Sequence, residues 1–217
     1  MTKRSRSNRE RRQDSDARII QAAIDLFASQ GYQRTTLVQI GNLAGYTGTL
    51  ISNRFGSKEK LLRAVLSYIL NRFEDENSID IPAERLASEG LGGSQTFVTD
   101  RLLQFVASYF RDVSDQEGRI RALYVIMGEA LGSLPEIEDE IIRVNHVFRN
   151  QIQTFLAEGV RRGEFAAAFN IDAAALAIVG LLRGVAMQIL TEPEQINIGE
   201  TTAFMQKIVR AMVILEE

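Results

Sequence analysis

The chain has 217 residues, 45% of them hydrophobic, which is enough to bury one sizeable core or a small core and a larger one. It contains no cysteine and a single histidine, His146, so disulfides, thiolate metal sites, cysteine nucleophiles and a zinc site built on histidines are excluded. The formal net charge of −3 combines +7 over residues 1–63 with −10 over residues 64–217, an asymmetry typical of a nucleic-acid-binding segment joined to another domain.

The chain begins with a basic segment, residues 1–14, which is predicted to be a disordered tail. Between residues 3 and 12 it carries one acid, Glu10, and six basic side chains: Lys3, Arg4, Arg6, Arg9, Arg11 and Arg12. Such a tail suits electrostatic contacts with phosphates or entry into a minor groove.

Helical spacing of apolar residues predicts a first helix with the row Ile20, Ala23, Ile24 and Phe27. Gly31 then supplies a left-handed stop, and Tyr32 supplies its hydrophobic contact. A short second helix begins after Thr36, which with Gln39 has the form of a capping box, and it ends at Ala44.

Thr47 is predicted to cap a third short helix through Asn53, and Ser57 to cap a fourth through Phe73. The stretch from Asn77 to Ser94 is loop-like or weakly helical. No alternating strand pattern occurs, so the predicted fold class is all-α. Further helices are expected at about 96–113, 117–132, 136–162, 172–190 and 200–215.

Two short helices joined by a tight glycine turn form either a helix-turn-helix unit, which presents its second helix to a major groove, or an ordinary helical corner. The third helix favours the first interpretation, because its small polar side chains can reach base edges or phosphates and Leu50 can touch a thymine methyl. Lys58 lies at a helix N-terminus able to hold a phosphate. The predicted DNA-binding residues are Thr36, Gln39, Thr47, Gly48, Thr49, Leu50, Ser52, Asn53, Arg54 and Lys58.

Three segments, "RIIQAAIDLFASQGYQRTT", "IGNLAGYTG" and "FGSKEKLL", resemble the TetR/AcrR family of bacterial transcriptional regulators over about residues 18–65. The resemblance implies a three-helix DNA-binding head, a connecting fourth helix and a divergent helical domain that binds ligands and forms a homodimer. The expected domains are the tail (1–14), the helix-turn-helix head (15–63) and the ligand-binding and dimerisation domain (64–217).

Four positions depart from the family pattern: Gly41 stands for a usual alanine, Thr49 for a frequent glycine, Ser52 for a common tyrosine and Arg54 for a usual histidine. A glycine inside a helix costs about 1 kcal/mol relative to alanine unless close packing requires it. Ser52 and Arg54 leave an alternative open, a dimeric helical module that binds small molecules and has weakened or lost DNA recognition. The six basic residues of the tail argue against that alternative.

The later helices carry candidate ligand and dimer residues. Aromatic and methionine side chains suit an apolar cavity for a small apolar effector, with ordinary core packing as the alternative: Phe105, Tyr109, Tyr124, Met127, Phe148 and Phe155. The resemblance places the dimer contact on the last two helices, where small residues permit close approach and an apolar stripe follows: Gly180, Leu181, Gly184, Phe204, Ile208 and Met212.

No catalytic motif is present, since the chain lacks a Walker or dinucleotide glycine loop, HExxH and GxSxG. No cofactor or metal is predicted. Asp172 and Arg183 flank the most apolar run and argue against a membrane span. The predicted function is therefore that of a cytoplasmic DNA-binding regulator, a ligand-responsive repressor acting as a homodimer on a palindromic operator.

Overall fold

The computed structural model describes residues 8–76, 97–114, 118–166 and 170–214. Over these residues the fold is all-α, as predicted, with no strand. The predicted loop from Asn77 to Ser94 and residues 1–7 of the tail lie outside this range. The helices are α1 (Asn8–Gln30), α2 (Leu37–Ala44), α3 (Gly48–Phe55), α4 (Lys58–Glu76), α5 (Val98–Val113), α6 (Arg119–Ser133), α7 (Glu138–Arg161), α8 (Ile171–Thr191) and α9 (Ile198–Val213), with a 3₁₀ turn at Pro135–Ile137.

The chain divides into two compact units. The first comprises Met1–Asn71 and Glu117–Ile141, and the second comprises Arg72–Gln116 and Ile142–Glu217. This division differs from the domain boundary expected at residue 63, because α6 packs on α1 and belongs to the first unit. The expected boundary rested on the change of charge along the chain and on the end of the helix-turn-helix motif. The compact units depend instead on packing between segments that are distant in the sequence.

Helix α1 starts earlier than predicted. Residues 8–14, assigned from composition to a disordered tail, are helical. This stretch contains no glycine or proline and is rich in Arg, Glu and Gln, which are good helix formers. Within α1 the buried apolar row includes Ile19, with Ile20 only partly buried, and continues through Ala23, Ile24 and Phe27.

The predicted capping box of α2 is confirmed. Thr36 Oγ1 accepts a hydrogen bond from the backbone N–H of Gln39 at 3.2 Å, and Gln39 Oε1 accepts one from the backbone N–H of Thr36 at 2.8 Å. Thr47 caps α3 by accepting from the backbone N–H of Leu50 at 3.2 Å. Between them Gly45 takes the left-handed conformation, with a φ of +78°, that ends α2 and turns the chain.

Gly41 lies where α2 meets the start of α3. A Cβ at this position would stand 2.7 Å from the carbonyl oxygen of Tyr46 and 2.9 Å from the backbone nitrogen of Gly48. Both atoms belong to the main chain, so a side-chain rotation could not relieve the contact. The glycine is therefore explained by close packing, the condition under which its helix-propensity cost is offset.

The second unit contains an aromatic core. Phe73 contacts Phe105 edge-on with ring centroids 5.5 Å apart and Phe148 with centroids 4.1 Å apart. Phe155 joins through Phe105, with centroids at 5.8 Å. All four rings are at most 3% exposed. Burial of this aromatic surface stabilises the unit chiefly through the hydrophobic effect.

Helix α8 is long and apolar enough to span a membrane by length and composition, with a mean hydropathy of 1.9 over its most apolar window. The presence of Asp172 and Arg183 therefore does not by itself exclude a membrane-spanning helix at this position. The helix nevertheless has a packed face, because it contacts α5 and α9 and has buried side chains at Ala175, Ile178, Val179, Leu182, Ala186, Ile189 and Leu190. Such burial is usual for a core helix of a globular domain.

We predict that Gly41→Ala lowers the free energy of unfolding by about 1–3 kcal/mol, the usual cost of forcing extra volume into close packing. The matched control is Gly128→Ala on α6, where no described atom other than the chain neighbours and the nearby backbone of α6 itself lies within 4 Å of the Cβ position. That change should raise stability by about 0.5–1 kcal/mol, because alanine is the better helix former. Chemical denaturation of both variants tests the difference, and equal stabilisation by both would contradict it.

Candidate functional site

The surface of α3 combines one anchoring residue with a polar outer face. Ile51 is fully buried and fixes the helix on the first unit. The exposed residues are Thr47, Thr49, Leu50, Ser52 and Asn53, whereas the predicted Gly48 is half-buried. This arrangement leaves hydroxyl, amide and short apolar groups on the side that a groove would meet.

Thr36 and Gln39 lie together at the exposed start of α2. Their capping hydrogen bonds satisfy backbone groups of the first turn, and Gln30 Nε2 donates to Gln39 Oε1 at 3.3 Å. The N-terminal turn of α2 also presents a positive partial charge. The two side chains thus hold the helix start in place beside the outer face of α3.

Arg54 takes a different place from the one predicted. Its Nη1 donates to Asp16 Oδ1 at 3.0 Å and also to Ser15 Oγ, so the guanidinium joins α3 to α1. Ser15 is buried, and only 22% of the Arg54 side chain is exposed. Because a partly buried charge pair is costly to separate, we interpret Arg54 as a residue that positions α3 rather than as a direct phosphate contact.

Lys58 is also engaged within the chain. Its ammonium donates to the backbone carbonyls of Tyr32, Gln33 and Thr35 at 3.1, 3.2 and 3.0 Å. An ammonium has three N–H donors, and all three are used here. The cation also lies 4.3 Å from the centroid of the Tyr32 ring. This geometry departs from the prediction that the Lys58 side chain contacts a phosphate, although the α4 N-terminus remains beside it.

The six predicted effector residues do not come together in one unit. Tyr124 and Met127 lie on α6 of the first unit and are half-buried. In the second unit, three of the others border a narrow cavity that has no room for a water-sized sphere, and its lining is Phe105, Tyr109, Phe148, Val179, Leu182 and Arg183. Phe155 packs against Phe105. The predicted aromatic residues of this unit therefore form a closed core.

Arg183 is a cavity residue that the sequence did not indicate. Its guanidinium lies 5.1 Å from the centroid of the Phe148 ring and donates to Asn145 Oδ1. The spacing of apolar residues in α8 indicated which side of the helix is buried. It did not indicate that Arg183, among apolar neighbours, would contact a residue of α7. Arg183 gives the cavity lining its charged side chain.

The predicted dimer residues lie mainly on outward surfaces of α8 and α9. Apart from their chain neighbours and the nearby backbone of α8 itself, no described atom approaches within 4 Å of the Cβ positions of Gly180 and Gly184. Leu181 is 37% exposed and Phe204 is 62% exposed, while Ile208 and Met212 are half-buried. The inner side of α9 instead packs through Met205, Val209 and Val213. Both helices therefore present small and apolar groups away from the core.

Comparison with known proteins gives a consistent set of similarities. The family model of bacterial regulatory proteins, tetR family, matches residues 19–65. The HTH-type transcriptional regulator HbdR of Aromatoleum sp. (strain CIB) is 32% identical over 149 residues, which cover 66% of this chain and 58% of HbdR. TtgR of Pseudomonas putida, another HTH-type transcriptional regulator, is 26% identical over 193 residues, covering 89% of this chain and 88% of TtgR.

The fold is likewise that of solved regulators. The fatty acid degradation regulator FadR from Bacillus halodurans superimposes with a TM-score of 0.71 at 20% sequence identity, covering 97% of each chain. At this identity the likeness concerns the fold. It agrees with a helix-turn-helix at the N-terminus followed by a helical C-terminal region.

Proposed function

Since the chain belongs to the TetR/AcrR family of bacterial transcriptional regulators, and so is a DNA-binding regulator and not an enzyme, we propose that it acts in the cytoplasm as a ligand-responsive repressor, bound as a homodimer to a palindromic operator. The observation that carries the proposal is the polar face of α3, exposed at Thr47, Thr49, Ser52 and Asn53. Small polar side chains of this kind read base edges from a helix lying in the major groove.

Arg54 bears on the alternative, a helical module that has lost DNA recognition. Its hydrogen bonds to Ser15 and Asp16 hold α3 on α1. A chain that no longer used α3 would have little need for a charge pair that keeps this helix in place. The position of Arg54 therefore supports a working helix-turn-helix rather than its loss.

Selection of random duplexes by the purified protein tests the proposal. We expect enrichment of a palindrome and, if each head neutralises about three to five phosphates, a slope of log K against log salt of about −5 to −9 per dimer. Asn53→Ala should relax preference at one base pair by about 1–3 kcal/mol. The matched control, Asn71→Ala, removes an exposed amide from α4 and should leave the sequence preference unchanged. A slope near zero, or no preferred sequence, would refute DNA recognition.

The homodimer is proposed on α8 and α9. Open space above Gly180 and Gly184 would let two backbones approach, and the exposed Leu181 and Phe204 add apolar surface beside them. A two-fold axis then brings four helices together from two chains. Two heads related by this axis would meet successive major grooves, which are about 34 Å apart.

We predict that Gly184→Arg shifts the protein toward monomer, because the guanidinium would occupy the space between the two α8 helices. Sedimentation measures the shift, and tight binding to the selected palindrome should be lost with it. Gly128→Arg, which adds the same charge at an open position on α6, is the control and should remain dimeric. A fully dimeric Gly184→Arg protein would place the interface elsewhere.

The effector is proposed to be small and largely apolar and to bind in the second unit, at the cavity bordered by Phe105, Tyr109 and Phe148. The cavity has no room for a water-sized sphere, whereas ordinary ligand pockets have volumes of roughly 300 Å³ or more, so binding requires the cavity to widen. The effector would favour a state in which α4 holds the heads at a spacing that no longer matches the operator.

Titration of apolar and amphipathic compounds, with and without the selected palindrome, tests this effect. A compound preferring the non-binding state by about 3 kcal/mol weakens operator affinity about 150-fold at saturation, and by linkage the operator weakens the compound equally. Val179→Leu, which adds one methylene to the lining of the cavity, should weaken the response while leaving operator binding intact. A compound whose affinity is identical in both conditions is not an inducer.

A further inference from the structure

A carboxylate from α6 is seated in the turn between α1 and α2. Glu129 Oε2 accepts a hydrogen bond from the backbone N–H of Tyr32 at 2.8 Å. Its other oxygen lies against Gly31, so close that a Cβ on Gly31 would overlap with it. Gly31 has a φ of +86°, which an L side chain rarely adopts. The glycine thus serves both the left-handed turn and the approach of the carboxylate.

The negative charge of Glu129 lies beside the C-terminal end of α1, where it is electrostatically unfavourable. The last carbonyls of a helix carry a negative partial charge, which repels a carboxylate. Lys58 offsets this repulsion because its ammonium binds three carbonyls of the same turn. Burial lowers the pKa of Lys58, while the negative charges of Glu129 and Glu136 oppose that shift. The turn is therefore held by two opposite charges that arrive from α4 and α6.

The position of the α1–α2 turn determines the positions of α2 and α3. Thr35 is fully buried, and its Oγ1 donates to the carbonyl of Gly31 at 2.7 Å. The next residue, Thr36, caps α2. Helix α2 in turn meets the start of α3 through main-chain atoms beside Gly41. A displacement of the turn would consequently move α2 and α3 together.

We propose that Glu129 is a positioning residue for DNA binding: by holding the α1–α2 turn on α6, its carboxylate sets the orientation in which α3 meets the major groove. The inference rests on the proposed DNA-binding function. It assigns to α6, which lies outside the helix-turn-helix in the sequence, an indirect part in operator affinity.

The test compares Glu129→Ala, Glu129→Gln and the control Glu138→Gln, which removes an exposed carboxylate from α7. The probes are the palindrome recovered by selection and an unrelated duplex of the same length. Glu129→Ala should bind the palindrome about 5- to 50-fold more weakly, within the usual range of couplings between sites. Glu129→Gln should lose less, because its amide oxygen can still accept from Tyr32. Affinity for the unrelated duplex should be unchanged in all three variants.

Hydrogen exchange at the Tyr32 amide gives a readout that needs no DNA. We expect exchange about tenfold faster in Glu129→Ala, because the local opening of this turn becomes easier. Thermal unfolding of each variant identifies those that remain folded at the assay temperature. Should Glu129→Ala fail to fold, Glu129→Gln carries the test, with a smaller loss on the palindrome expected.

The outcomes separate the two proposals. If the wild-type protein prefers no duplex, the proposed function fails, whereas Tyr32 exchange still reports whether Glu129 holds the turn. If the wild type prefers the palindrome and the folded Glu129 variants bind it equally well, the positioning role is overturned and the function stands. Equal losses on both duplexes would also overturn it, because a general loss of folded protein would weaken all binding alike.

Discussion

The ammonium group of Lys58 is the interaction on which the N-terminal unit depends. It reaches three carbonyls of the segment between α1 and α2, and this segment leads directly into the capping box of α2. Lys58 is the first residue of α4, so one side chain ties the beginning of α4 to the end of α1. Without it, the carbonyls of Gln33 and Thr35 would lose this donor, and the carbonyl of Tyr32 would keep only the backbone N–H of Thr35. Leaving a polar group at a half-buried turn without its partner costs more than the hydrogen bond contributes when made.

Around this turn, charged residues act mainly on one another. Arg54 joins α3 to α1 through Asp16, and Arg63 pairs with Glu59 at 2.7 Å and with Glu140 at 3.2 Å. Basic residues near a helix-turn-helix are easily assigned to phosphates, but the structure gives several of them acidic or carbonyl partners. The outer face of α3 instead carries exposed, uncharged polar groups, and it is the surface on which recognition is proposed.

Local features of the sequence predicted the N-terminal helices well. The capping box at Thr36 and Gln39, the cap at Thr47 and the stop at Gly31 depend on residues a few positions apart, and the structure confirms all three. The partners of Arg54 and Lys58 could not be predicted, because Asp16 and the carbonyl of Tyr32 are more than twenty residues away in the chain. Glu129 is farther still, 97 residues from Tyr32. The same limit applies to the aromatic residues, whose spacing indicated buried faces and not that Tyr124 and Phe148 belong to different units.

The contact of Gly41 with the main chain of Tyr46 and Gly48 has a consequence for how recognition can change. Since α2 and α3 touch through backbone atoms there, no rotamer at that contact can adjust to a new neighbour. The two helices behave as a rigid support, and the exposed side chains of α3 project from it without taking part in that contact. Residues such as Thr49 and Asn53 are therefore open to replacement by mutation with little cost to folding, so the base preference proposed for this face can change while the scaffold is retained.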